Sequence, residues 1–147
     1  MVGVRAYHGA MDIAPQPSGR YPWGEAETPY AELGGDERVR SIADTFYDIV
    51  ERSSPVLRAM LPQDLSVSKD KLYEFLSGWT GGPPLYWERR GHPALRMRHA
   101  PFVIGEVEAK EWARCMSEAV AEVVGTGVLA DFLTRELGRA AAQLQNS

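Results

Sequence analysis

Residues 93–125 read PALRMRHAPFVIGEVEAKEWARCMSEAVAEVVG, and this stretch decides the fold. Pro93 suits the first turn of a helix, where a missing N–H costs nothing, and Pro101 closes what Pro93 opens. The product is a helix of only two turns. It carries His99, and Leu95, four residues earlier, shares its face. From about Glu106 to Val124 a long helix follows, with Trp112, Met116, Ala119 and Val123 along one stripe and Gly125 to end it.

The same periodicity extends in both directions. Thr126 is placed to cap a last helix whose inward face is Leu129, Phe132, Leu133, Leu137, Ala141 and Leu144. Upstream, Asp36 follows Gly34-Gly35 and is expected to cap a helix carrying Val39, Ile42, Phe46 and Val50, which ends near Ser53-Ser54-Pro55. A short apolar piece, Val56 to Leu61, stops at Pro62. A further amphipathic helix is expected from about Ser66 to Leu76, with Leu72, Phe75 and Leu76 inward, broken by Gly78 and then by Gly81-Gly82-Pro83-Pro84. Leu85 to Gly91 is too short and too charged to assign. No strand-like alternation and no internal repeat occurs, so the fold class is all-α.

Residues 1–28 are rich in proline and glycine and read as an extended N-terminal arm before a helical domain over 29–147. Tyr21, Trp23 and Tyr30 are unusual for a free tail. Packing of the second half of the arm on the domain or on another subunit, and a mobile tail, are both open readings.

Composition excludes several classes. A chain of 147 residues with net charge −4 has the size of one domain and lacks the basic footprint of a nucleic-acid binder. A single cysteine, Cys115, cannot form an internal disulfide, and within an apolar stripe it reads as a small buried hydrophobe. No segment resembles a signal peptide or a membrane span, so a cytoplasmic protein with no membrane partner is expected. There is no Cys pair or His-Glu-x-x-His for zinc, no P-loop, and no serine with a His and Asp partner that spacing can nominate.

Three histidines remain as candidates. His8 lies in the arm and His92 in a Gly-His-Pro turn, where a solvated imidazole is the ordinary role. His99 reads either as a satisfied core histidine or as a ligand. Haem iron requires a neutral imidazole, a ring held by its other nitrogen and an apolar slot for the porphyrin, and a short pinned helix can supply these. Tyr47 and Trp112 are likewise either core aromatics or donors, since a buried hydroxyl or indole N–H needs a partner that an apolar core seldom offers.

Gly81-Gly82-Pro83-Pro84-Leu85-Tyr86, Arg90-Gly91-His92-Pro93, Leu95 to Phe102 and Trp112-Ala113-Arg114-Cys115-Met116 together resemble the group II truncated haemoglobins. Tyr30 to Gly35 is similar to that family's short first helix with its Gly-Gly break, and Thr45-Phe46-Tyr47 to its motif on the second helix. The resemblance spans about Pro29 to Leu144. It implies a two-over-two helical sandwich around haem b, with His99 as the iron ligand and Tyr47 and Trp112 on the opposite, distal side. By the same resemblance Ser68, Leu72 and Phe75 stand on the distal helix, Lys71, Tyr86 and Arg98 hold the propionates, and Leu95, Phe102 and Ile104 make apolar contacts. Leu61 departs from the pattern: the family usually has Tyr, Phe or His there, and leucine keeps the apolar wall but donates nothing. The implied function is reversible binding of dioxygen, or of nitric oxide, carbon monoxide or sulfide, by a monomer or homodimer served by an unidentified reductase. A peroxidase-like or nitric-oxide-detoxifying enzyme, or a haem-based sensor, are the alternatives at the same site.

Overall fold

The computed structural model describes residues 19–91 and 104–146. Thr28 starts the first helix, α1 (Pro29–Leu33), by accepting a hydrogen bond from Ala31 N–H, and Pro29 fills its first turn. Gly34 and Gly35, with φ of 111° and 91°, then redirect the chain through two successive left-handed positions. The next helix, α2 (Asp36–Ser53), follows directly. Its N-cap is Gly35 and not Asp36, because the left-handed backbone at 35 excludes an ordinary capping residue; Asp36 sits one place inside and accepts from the Tyr73 hydroxyl. Asp36 and Glu37 still favour the positive end of the helix dipole.

Ser54 ends α2 and caps the short α3 (Pro55–Arg58), accepting from Leu57 N–H. The long helix expected to stop at Leu76 instead runs as α4 (Ser66–Trp79), straight through Gly78. Gly78 serves packing: a Cβ there would lie 3.3 Å from Cα of Pro84. Thr80 stops α4 by donating its hydroxyl to the Leu76 and Ser77 carbonyls. The Gly81-Gly82 turn then lets the Tyr30 ring lie where any Gly82 side chain would be, 2.3 Å from a Cβ, while Tyr30 N–H donates to Thr80 C=O.

Leu85–Arg90 is a helix, α5, although the sequence supports no assignment there. The reason is tertiary: Glu74 of α4, only 3% exposed, pairs with both Arg89 and Arg90, so the charges that obscure the pattern are used in docking. α6 (Glu106–Val124) has the expected bounds. α7 (Val128–Gln143) is preceded by Gly127 as N-cap, correcting the expectation of Thr126; with φ of 125°, position 127 takes the chain through a turn that only glycine adopts freely.

α2 packs against α4, α6 against α7, and α2 against α6, which makes two helix pairs laid over each other. The core between them is apolar, built from Val39, Ile42, Phe46 and Ile49 of α2, Met116, Ala119 and Val120 of α6, and Phe132, Leu133 and Leu137 of α7. Cys115 is buried in it. Among the described residues there is no strand, only an isolated bridge between Tyr21 and Gly24. That bridge folds residues 19–28 onto the domain: Trp23 is buried, stacks on Tyr21, meets Phe132 edge-on and donates its indole N–H to Ala26 C=O.

Candidate functional site

A cavity of about 140 Å³ opens beside α2, α6 and α7, against the roughly 10–15 Å³ that a water-sized molecule needs. α2 contributes Phe46, Tyr47 and Val50, and the α3 region Leu57, Met60 and Leu61. Ile104 precedes α6, which adds Glu108, Ala109 and Trp112, and Ala141 and the C-cap Leu144 come from the end of α7.

Two features give this apolar space a chemistry. Phe46 stands between Tyr47 and Trp112, with ring centroids 5.0 Å and 5.3 Å away, and so sets both aromatics in the wall. Neither the Tyr47 hydroxyl nor the Trp112 indole N–H meets a hydrogen-bond partner among the described residues, yet no buried side-chain nitrogen or oxygen among them is left unsatisfied. Both donors are therefore still accessible. Burial pushes the Tyr47 phenol up to about 12, so it keeps its proton and remains able to donate at neutral pH.

The elements that supply this lining are tied together by polar contacts. Glu108 accepts from Gly105 N–H at 2.7 Å, and Asn146 both accepts from Ile104 N–H and donates its own N–H to Ile104 C=O. Buried Ser54 donates to Glu111, which also takes the Arg114 guanidinium; that guanidinium reaches Ser53 C=O and Glu118. Hydrogen bonds from Arg114 and then Ser54 hold the Glu111 carboxyl down at about 2.

The structure brings Tyr47, Leu61, Ile104 and Trp112 together around one cavity. Leu72 and Phe75 lie on α4, partly buried against the core but outside this cavity; Ser68 is half-exposed and Lys71 exposed on the same helix. Tyr86 is buried on α5 and, with Phe75 and Trp79, lines a second cavity of about 250 Å³. His99, Leu95, Arg98 and Phe102 lie outside the described residues, as does His92. Sequence reasoning missed Glu108, although Gly105-x-x-Glu108 has the spacing at which a glutamate reaches back to the helix start. It also missed Met60, Ala141 and Leu144, which nothing in the pattern separates from core. Among the described residues no three His, Cys, Asp or Glu side chains cluster as a metal site, and no helix is long and apolar enough to cross a membrane.

Two helix pairs laid over each other, with a donor-bearing cavity beside them, are the architecture of a globin reduced to its two-on-two form. Residues 28–146 match the model of the bacterial-like globin family, and the chain belongs to that family, among its group II truncated haemoglobins. It is 40% identical over 118 residues to group 2 truncated hemoglobin YjbI of Bacillus subtilis (strain 168), covering 80% of this chain and 88% of that one. The group II 2-on-2 hemoglobin of Agrobacterium tumefaciens superposes with a TM-score of 0.79 at 38% identity, covering 84% of this chain and 97% of that one. A structure described as a truncated oxygen-avid haemoglobin from Bacillus subtilis superposes at 0.76 with 39% identity, covering 82% and 100%. Family membership implies a haem cofactor. The described walls fit one side of such a group: apolar surface for its ring, and two free donors for what it binds.

Proposed function

We propose that this chain is a haem b protein that binds dioxygen reversibly, with His99 as the protein's ligand to the iron. The observation that carries the reading is the pair of free donors, Tyr47 and Trp112, on the wall of an otherwise mostly apolar cavity. Haem held there supplies a ferrous iron at which a diatomic gas binds. A gas that gains negative charge on binding is favoured by donors aimed at it, and an indole can only donate. Trp112 is the stronger donor, since it stands on the long α6 and is packed against Phe46. Tyr47 keeps its proton and adds a second, rotatable donor. The apolar walls limit water and protons near the ligand. Description of the Bacillus subtilis relative as oxygen-avid supports the choice of dioxygen. Following the resemblance, Phe75 and Leu72 contact the ring from α4, and Lys71, Tyr86 and Arg98 pair with its propionates. A reductase that restores the ferrous form, and a cytoplasmic setting that keeps Cys115 a thiol, complete the proposal.

The test is the visible spectrum of the purified protein, oxidised, reduced and with carbon monoxide, beside that of His99→Ala. The parent should give a haem b spectrum that shifts with carbon monoxide. The variant should lose the normal ferrous bands and regain them in part with external imidazole. Should His92→Ala cause that loss and His99→Ala not, the ligand assignment is wrong.

A further inference from the structure

Among the described residues, Glu108 is the only acidic or basic side chain on the cavity wall. It stands one helical turn before Trp112, so the two side chains are neighbours on one face of α6. The Gly105 N–H, 2.7 Å from Oε1, fixes where the carboxylate sits. No described cation compensates it: Lys110 pairs with Glu106 at 3.1 Å, and Arg114 is taken by Glu111 and Glu118. A fixed negative charge beside low-dielectric walls projects its field into the space they enclose. Neutral gases are indifferent to that field, whereas an anion entering the same space is opposed by it.

We infer that Glu108 is a specificity-determining residue of the ligand cavity, one that admits neutral diatomic ligands and opposes small anions. This rests on the haem-binding reading above. It assigns Glu108 a role in selection rather than in holding the ligand, which falls to Tyr47 and Trp112.

Azide binding to the ferric holoprotein, followed by visible absorption, measures the effect, with carbon monoxide association to the ferrous form as the neutral control. Glu108→Gln keeps an oxygen for Gly105 N–H and removes only the charge. It should tighten azide binding on the order of tenfold at low ionic strength, by the size of a screened interaction across a few ångströms. The gain should shrink as salt is raised toward about 1 M, where the screening length is roughly 3 Å. Glu108→Lys should move azide binding further the same way, and carbon monoxide association should stay within about twofold of the parent in both variants. Unchanged azide affinity in both variants, or equal acceleration of carbon monoxide, overturns the inference; the second result would make Glu108 a steric plug. A parent that takes up haem and binds carbon monoxide keeps the haem reading intact whichever way Glu108 falls, and one that takes up none overturns both.

Discussion

The two halves of α6 share one apolar stripe and end in different surroundings. From Cys115 to Val120 the buried side chains are small or flexible, each at most 1% exposed, and they pack into the apolar cluster between the helix pairs. Nearer its start, Glu108, Ala109 and Trp112 of the same helix line the cavity instead. Hydrogen bonds tie this end of the helix: Glu108 accepts from Gly105 N–H and Asn146 from Ile104 N–H, while Glu111 accepts from Ser54 and Arg114. One half is held by packing and the other by polar brackets beside the ligand cavity.

The largest test of that contrast is stability. Leu133→Ala, on the α7 face that meets the packed core, should cost about 2–5 kcal/mol, because a sealed site relaxes little around the lost methyl groups. Leu61→Ala, half-exposed on a wall that already borders a cavity, should cost under about 2 kcal/mol by the same reasoning. Urea unfolding of the two variants decides it, and equal losses would mean that the cavity wall is as tightly packed as the core.

Ligand release tests the other half. Losing one hydrogen bond to a charged acceptor costs roughly 1.5–3 kcal/mol, so Trp112→Phe should release dioxygen about 10- to 150-fold faster. Carbon monoxide, which gains little charge, should be affected far less. Met116→Leu, one turn further along the packed half, conserves volume and should leave both rates near the parent's. Stopped-flow with both gases separates the outcomes, and equal acceleration of the two by Trp112→Phe would assign the indole a steric role.

The packed half was the more legible in sequence. The bounds of α6 follow from Glu106 and Gly125, and the inward faces of α2 and α7 from their periodicity. What misled was glycine and charge: Gly78 breaks nothing because Pro84 packs on it, and the charged Leu85–Arg90 is helical because Glu74 receives its arginines. Of the cavity, Tyr47 and Trp112 were legible as buried aromatics with a donor to satisfy, and Leu61 and Ile104 only through the resemblance. Periodicity reports that a side chain faces inward and not whether anything stands opposite it, so Ala141 and Leu144 read like core. Glu108 was hidden because a glutamate in a first turn already has an ordinary reason to be there.

The smallest effect concerns the brackets themselves and their dependence on pH. Glu111 has its carboxyl held at about 2, against 4.5 ordinarily, first by Arg114 and then by the buried Ser54 hydroxyl. A folded-state value below the unfolded one means that the bracket's stability is fully present above pH 4.5 and is lost as pH falls toward about 2. Glu111 and Arg114 both retain contact with solvent, with 26% and 36% of their side chains exposed, so the gain is screened to about 1 kcal/mol. Glu111→Gln should therefore lower stability by about that amount at pH 7 and by progressively less on acidification, with the two curves converging near pH 2. Unfolding free energies from urea titrations at pH 7, 5, 4 and 3 would show the convergence. A constant offset between parent and variant at every pH would mean that the Ser54 and Arg114 contacts hold the glutamine as well as the carboxylate, and that this tie between α6 and the end of α2 rests on shape rather than on charge.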